Sequence, residues 1–326
     1  MNDTFFVTGA TGCIGGWVVK NLVESGSEVY VLARSGSLER LKLIMPAEQI
    51  SKVHVIRGDI GHAELLQECV AKNGIERIIH LAAMQLPFCR AEPGRGARVN
   101  VEGTINVFEA AKNAGIRSLV YSSSTAVYGR MDEYAEICVE HGARLIPHSL
   151  YGVYKKANEW SARVYFESDG ISSIGIRPCV VYGPLRDKGI TSTPTLAMKA
   201  AVDHERYEIS YGGEFNFQYV DDTAKAFIRA ARADHEGADT YNLGGAAVDM
   251  GDVIEAIETA EPLAKNLITY VDAPLPFPRR ASNEELEKII GPVCPTSLAD
   301  GVRETMEFFR RNAGAQEGRF GQVGGE

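Results

Sequence analysis

Tyr151 and Lys155 stand four residues apart, the spacing that puts two side chains on one face of an α-helix. A phenol and an ammonium group can each hold or pass a proton, although such pairs are also common on exposed helices. Upstream lies a hydroxyl-rich run, Tyr121-Ser122-Ser123-Ser124-Thr125-Ala126-Val127-Tyr128-Gly129. Near the start, Thr8-Gly9-Ala10-Thr11-Gly12-Cys13-Ile14-Gly15 follows a β-branched, aromatic run and opens a helix-period segment. Glycines at that spacing permit a tight turn, a close approach of backbone amides to a pyrophosphate, and close packing of helix on strand. The helix N-terminus then faces the phosphates with its positive end. Where a second strand ends, an acidic residue would take the ribose of NAD and an arginine the 2′-phosphate of NADP. Here that place reads Ala33-Arg34-Ser35, which has no carboxylate and so favours NADP, with NAD as the alternative.

These residues need elements to hold them. Strand-like runs occur at 5–8, 28–33, 53–57, 77–82, 118–122 and 172–177. Amphipathic stretches at 14–25, 64–72, 103–114 and 155–168 fall between them. That alternation predicts an α/β fold: a Rossmann-type, doubly wound parallel sheet covered by helices on both faces. Beyond residue 180 the pattern loosens, with helices expected near 194–202, 222–233, 252–258 and 298–311, and a Pro-rich surface segment at 273–278. The expected division is a dinucleotide-binding domain over 1–178 and a smaller C-terminal substrate-binding lobe over 179–312. Some exchange of chain between the two is expected, with a disordered tail over 313–326.

Composition narrows the partners. The 326 residues carry 34 Lys+Arg and 43 Asp+Glu, a formal charge of −9. That balance disfavours nonspecific nucleic-acid binding, which needs a basic footprint. No apolar stretch reaches the ~18 residues of a membrane span. The six cysteines form no CxxC pair, so reduced thiols and a cytoplasmic location are expected. Cys138 and His141 form a CxxH with His148 nearby, but no second ligand pair accompanies them, and no metal is expected.

Taken together, the glycine turn, the Tyr–Lys pair and the serine run resemble the extended short-chain dehydrogenase/reductase family, which includes UDP-galactose 4-epimerase. The likeness extends over residues 4 to about 311 through Gly58-Asp59-Ile60, His80-Leu81-Ala82-Ala83, Asn100-Val101-x-Gly103-Thr104, Arg177-Pro178, Tyr182-Gly183-Pro184 and Tyr219-Val220-Asp221-Asp222. The resemblance implies an NAD(P)-dependent enzyme. Tyr151 would be its general acid/base, Lys155 would lower the tyrosine pKa and hold the nicotinamide ribose, and Ser124 would bond the reacting oxygen. It implies cofactor contacts at Gly9, Thr11, Gly12, Cys13, Ile14 and Gly15, at Arg34 and Ser35, and at Asp59 and Ile60 around the adenine. Further contacts are implied at Leu81, Ala82, Ala83, Asn100, Ser122, Pro178, Val180 and Val181, with Asn100 also supporting the helix that carries the Tyr–Lys pair. By loop position, Met84, Gln85, Ser124, Thr125, Cys179, Arg186, Thr191, Ser192 and Gln218 would face the substrate, Arg186 being the best candidate for an anion contact.

Departures from the family pattern sharpen the expectation. Dehydratases and decarboxylases of this family carry an acidic residue just after the catalytic hydroxyl; here Thr125 and Ala126 stand there. Nucleotide-sugar enzymes place an Asn where Val180 stands and an Arg where Phe215 stands, which weakens a nucleotide-linked substrate. What remains is hydride transfer to or from a secondary alcohol or ketone of a sugar-like or small polyhydroxylated substrate. The alternative is a sugar 4-epimerase that oxidises transiently with a tightly bound nicotinamide. A non-catalytic dinucleotide sensor is a third reading, which the Tyr–Lys pair disfavours. The resemblance also implies a homodimer through the helices at 103–114 and 155–168, with Phe108, Trp160 and Tyr165 as interface candidates.

Overall fold

The computed structural model describes residues 3–313; the tail expected over 313–326 lies outside the described residues except Ala313. The first half runs β1 (Thr4–Thr8), α1 (Cys13–Glu24), β2 (Glu28–Ala33), α2 (Ala47–Ile50), β3 (Val53–Arg57), α3 (Ala63–Lys72) and β4 (Arg77–His80). It continues with α4 (Leu86–Ala91), α5 (Pro93–Ala97), α6 (Gly103–Asn113), β5 (Ser118–Ser122), β6 (Cys138–Val139), α7 (Leu150–Asp169) and β7 (Ser172–Arg177). The second half comprises β8 (Val180–Tyr182), α8 (Thr193–Val202), β9 (Tyr207–Ile209), β10 (Glu214–Tyr219), α9 (Val220–Arg232) and β11 (Ala238–Asn242). It ends with β12 (Ala247–Asp249), α10 (Met250–Ala260), β13 (Ile268–Tyr270), β14 (Arg280–Ala281), α11 (Glu284–Ile290) and α12 (Leu298–Arg311).

Seven parallel strands in the order β3-β2-β1-β4-β5-β7-β11 form the main sheet, as the alternating pattern predicts. The run Phe5-Phe6-Val7 is apolar throughout because both faces of β1 are covered. Phe5 and Val7 pack with Val18, Val19 and Leu22 of α1 and Phe227 of α9, while Phe6 packs with Leu66 of α3 and Val107 and Phe108 of α6. The strand order reverses between β1 and β4, and the glycine turn sits at the carboxyl end of β1, in the crevice where open parallel sheets take ligands. The seventh strand comes from residues 238–242, beyond the expected boundary at 178, and α9 before it packs on α1.

A second group of elements lies past β7. β8 pairs parallel with β10, β10 antiparallel with β12, and α8, α10 and α12 pack around them. The sequence pattern did not resolve these short strands, nor β6 with β14 and β9 with β13. Strand 77–82 is shorter than expected, leaving the sheet after His80. The helix expected from 155 starts earlier, at Leu150, so Tyr151 and Lys155 share one helix. Phe108, an expected interface residue, belongs to the core: it is fully buried and stacks on Tyr165 at 4.8 Å. Trp160 is exposed and carries Arg163 over its ring. No helix among the described residues is long and apolar enough to cross a membrane.

Candidate active site

The turn after β1 is shaped by contacts that only glycine allows. Gly9 has φ +71°, and a Cβ there would meet the Ala82 nitrogen at 2.6 Å, because the turn runs against the chain leaving β4. At Gly15 a Cβ would lie 2.1 Å from the Gly9 carbonyl oxygen, so α1 starts directly on the turn. No side chain caps α1 at Gly12, which leaves its first-turn amides available to an anion. Cys13, whose thiol burial pushes up to about 12, packs with its Sγ 3.8 Å from the Pro184 carbonyl. Partly exposed Leu81, Ala82 and Ala83 leave β4 beside the turn. These residues fit a dinucleotide lying across the carboxyl edge of the sheet.

Farther along that edge, Arg34 and Ser35 are exposed just past β2, and the Ser35 hydroxyl accepts a bond from the Ser37 amide at 3.2 Å. Asp59 accepts the Gly61 amide at 2.9 Å. Ile60 instead buries its side chain against Gly103, so it can offer a ligand only its backbone. Val180 and Val181 are buried in the hydrophobic cluster built on β8 and β10, so they too can offer a ligand only their backbone, and Pro178 is buried.

Asn100 sits in a π-helical stretch, Arg98–Glu102, a local irregularity often found at functional sites. Its amide brackets Met84, accepting from the Met84 nitrogen at 2.9 Å and donating to the Met84 oxygen at 3.0 Å, and it also donates to Cys89 Sγ at 3.1 Å. Its side-chain hydrogen bonds hold the loop after β4, and the π-helical stretch that carries it packs on α7, the helix of Tyr151 and Lys155. Behind it runs a buried relay: Thr8 Oγ1 to His80 Nδ1 at 2.7 Å, His80 Nε2 to Thr104 Oγ1 at 3.0 Å, and Thr104 Oγ1 to the Asn100 carbonyl at 2.7 Å. Burial, aided by the charge of Lys155, keeps His80 neutral, with its pKa lowered to about 3.

Tyr151 lies in the first turn of α7, which Ser149 caps by accepting the Gly152 amide at 3.1 Å. A Cβ at Gly152 would lie 2.1 Å from the Ala126 carbonyl oxygen, and that close approach brings the start of α7 onto the turn following Ser124. The Ser124 side chain hydrogen-bonds Tyr151. Lys155 is buried, its Nζ 5.7 Å from the centre of the Tyr151 ring and donating to the Ser122 carbonyl at 2.5 Å. One expectation is corrected here: the tyrosine pKa is raised, not lowered, to about 12, because burial outweighs the help from Ser124 and from the charge of Arg186. Burial likewise lowers Lys155 to about 8.

The profile of the NAD dependent epimerase/dehydratase family matches residues 5–244. The chain belongs to that family. This epimerase/dehydratase-family enzyme is 30% identical to a UDP-glucose 4-epimerase of Mycolicibacterium smegmatis, over 94% of this chain and 98% of that protein. It also superposes on a UDP-glucose 4-epimerase of Thermus thermophilus described in complex with NAD (26% identity, TM-score 0.80, 94% and 99% of the two chains). A third similar protein is a UDP-N-acetylglucosamine 4-epimerase of Methanobrevibacter ruminantium described in complex with UDP-N-acetylmuramic acid (26% identity, TM-score 0.81, 96% and 100%).

Against that family background, the residues expected to face substrate divide into two groups. Gln85, Arg186 and Thr191 converge: Arg186 Nη2 donates to Thr191 Oγ1 at 2.6 Å, and both the Arg186 and Gln85 side chains approach Gly189. The others are taken up structurally. Gln218 accepts from the Cys179 amide at 3.0 Å and donates to the carbonyls of Leu243 and Gly244. Thr125 donates to the Pro178 carbonyl at 3.4 Å, Ser192 to the Gly189 carbonyl at 2.7 Å, and the Met84 backbone is held by Asn100. Cys179 is partly exposed, with its thiol raised to about 11 by burial. Sequence reasoning missed Glu159, although Tyr151, Lys155 and Glu159 repeat every four residues and so share a face. It also missed Tyr211 and Arg40, which no local spacing marks. Among the described residues no group of three or more His, Cys, Asp or Glu side chains could hold a metal; His148 pairs with Glu133 at 2.7 Å and His141 packs on Tyr241.

Proposed function

We propose that this enzyme moves a hydride between NAD(P) and a secondary alcohol or ketone of a sugar-like substrate, with Tyr151 as the general acid/base. The observation that carries the reading is the position of the Tyr151 hydroxyl: bonded to Ser124, on one helix with Lys155, at the carboxyl end of a sheet whose first turn is built for a pyrophosphate. When bound, the nicotinamide accepts or supplies the hydride. Tyr151 takes the hydroxyl proton as the alcohol becomes a ketone and returns it in the reverse direction. Ser124 donates to the reacting oxygen and steadies the charge that builds there. Lys155, held by the Ser122 carbonyl, offers its remaining N–H groups to the cofactor ribose and to the field at the phenol. With Tyr151 at about 12 and Lys155 at about 8, the neutral-pH state is a protonated phenol beside an ammonium group, which suits proton donation to a ketone. The test is to follow nicotinamide absorbance with NADP or NAD and a panel of sugars, sugar acids and nucleotide sugars. Tyr151→Phe is expected to lose about 10²- to 10⁴-fold in kcat with cofactor binding intact; unchanged turnover would refute the assignment.

The likeness to the Mycolicibacterium smegmatis UDP-glucose 4-epimerase supports a second reading, a 4-epimerase using the same residues. An epimerase would invert the sugar carbon with no net change in nicotinamide absorbance, whereas a dehydrogenase would consume cofactor. Arg34, with no carboxylate at 33–35, supports NADP ahead of NAD, while the NAD described with the Thermus thermophilus protein supports NAD. Titrating both cofactors into wild type and Arg34→Ala decides: preference for NADP should fall about tenfold in the variant. The second lobe, residues 179–312, would supply much of the substrate side. Exposed Val153, Trp160 and Val164 on one flank of α7 support a homodimer through α6 and α7, tested by light scattering.

A further inference from the structure

The loop after β8 is strapped so that one cation is kept apart from its neighbours. Leu185 has φ +71°, a strained conformation for a residue with a side chain, and it is fully buried over Gly16. Two residues on, Asp187 is clamped by Arg40 through two bonds, Nη1 to Oδ2 at 2.5 Å and Nη2 to Oδ1 at 3.1 Å, while Arg40 Nη2 also donates to the Leu185 carbonyl at 2.9 Å. Arg40 therefore neutralises Asp187 and pins the backbone on one side of Arg186. Arg186 makes no ion pair among the described residues, holds Thr191 at 2.6 Å through Nη2, and buries an Nε that has no partner.

Two more buried polar atoms in this region lack partners. One is the hydroxyl of Tyr211, a residue only 2% exposed. The other is Gln85 Oε1: a Cβ on Gly189 would lie 2.2 Å from it and 3.6 Å from Arg186 Nη2, so the amide and the guanidinium meet at that glycine. The charge of Arg186 reaches both Tyr211 and Tyr151. Buried polar groups are costly when unmade. A ligand that offers an anionic acceptor to the guanidinium and the phenol, and a hydroxyl donor to the amide oxygen, would satisfy this set. The position where the family resemblance implies an arginine holds Phe215, buried and packed T-shaped against Tyr211 with ring centres 5.3 Å apart. Arg280 is bound at both ends by Glu214, at 2.8 Å each. The cation that remains for an anion here is therefore Arg186, clustered with Thr191 and Gln85 and close enough for its charge to act on Tyr151.

We propose that the substrate is a hydroxy acid of the sugar-acid type, its carboxylate received by Arg186 and Tyr211 and a neighbouring hydroxyl by Gln85, beside the carbon on which Tyr151 acts. The proposal rests on the Tyr151 reading above and adds the substrate class. The carboxylate could belong to a free sugar acid or to the sugar of a nucleotide sugar, and the probes separate the two. D-glucuronate and D-galacturonate, free and UDP-linked, are titrated by calorimetry into protein loaded with NADPH or NADH, beside the matched neutral D-glucose and D-galactose forms.

The acids are expected to bind about 10- to 100-fold more tightly than their neutral partners. Arg186→Gln should abolish that margin, Arg186→Lys should restore part of it, and Tyr211→Phe should remove a smaller part. Thermal unfolding of each variant checks the fold, and Arg186→Lys and Tyr211→Phe keep the test decisive if Arg186→Gln folds poorly. Equal binding of acids and neutral sugars, no binding of any acid, or a preference that survives in the variants overturns the proposal. Tyr151→Phe should bind the acids like wild type and lose turnover. Retained turnover there would refute the acid/base role without touching the carboxylate site, so the two failures are distinguishable.

Discussion

The guanidinium of Arg177 on β7 grips both carboxylate oxygens of Glu159 on α7, Nε to Oε1 at 2.8 Å and Nη2 to Oε2 at 2.6 Å, with both residues buried. Glu159 also accepts the Ser123 hydroxyl, and Arg177 Nη1 donates to the Tyr128 hydroxyl at 2.7 Å and the His141 carbonyl at 2.6 Å. One ion pair thus ties the helix bearing Tyr151 and Lys155 to the segment bearing Ser124. Removing one partner strands a buried charge. Glu159→Gln should therefore cost about 3 to 5 kcal/mol of stability in urea unfolding. Replacing both residues with apolar ones should cost less than either single change, and a simple sum of the two single losses would contradict this account.

Gly152 is the point of closest approach between α7 and the turn after Ser124. Gly152→Ala would set a methyl carbon 2.1 Å from the Ala126 oxygen and 2.9 Å from Pro147 Cβ, so the first turn of α7 must shift. A shift of about 1 Å at a reacting group can cost about 10²-fold in rate. The expected result is a kcat loss of about that size with nearly unchanged cofactor affinity, read by steady-state kinetics and NADPH fluorescence.

His80 gives the protein an acid-sensitive core. Its pKa falls from 6.5 to about 3 on folding, so between those values the unfolded chain binds the extra proton. Stability is then fully present above pH 6.5 and lost as pH falls, by about 1.4 kcal/mol per unit from this residue. Urea unfolding of wild type and His80→Gln across the range should show a steeper acid loss in wild type. Parallel curves would mean that the imidazole carries no such penalty.

Arg40 and Asp187 join the loop after β2 to the loop after β8, two segments far apart in the chain. Asp187→Asn should free the second loop and release the strain at Leu185, leaving Arg186 less fixed. A rise of about tenfold in KM with a smaller change in kcat is expected, measured on whichever substrate the panel identifies. An equal fall in kcat with KM unchanged would place the effect in the reaction step instead.

Much of this was legible in the sequence because it is local. The turn from Gly9 to Gly15 lies within one strand–helix junction, and the pairing of Tyr151 with Lys155 follows from helical spacing. The alternation of strands and helices through Arg177 likewise foretold the parallel sheet. The elements after β7 were harder to read, since β8 and β12 have only 3 residues each, too few to show a pattern. Phe108 shows a further limit: an aromatic residue on a helix is equally suited to a dimer face or to stacking on Tyr165, and only packing chooses between them.

By itself, then, the chain's residue order determined the parallel sheet and set Tyr151 and Lys155 on one helical face, because backbone periodicity and steric demands act over a few residues, while its motifs carried the family resemblance. Tertiary structure alone decided that burial raises the Tyr151 pKa despite the nearby ammonium group, that Gln218 is spent on backbone carbonyls, and that Asp187 is neutralised by Arg40 while Arg186 is not. Those outcomes depend on desolvation and on partners many residues away, and both are set by how the folded chain closes around them.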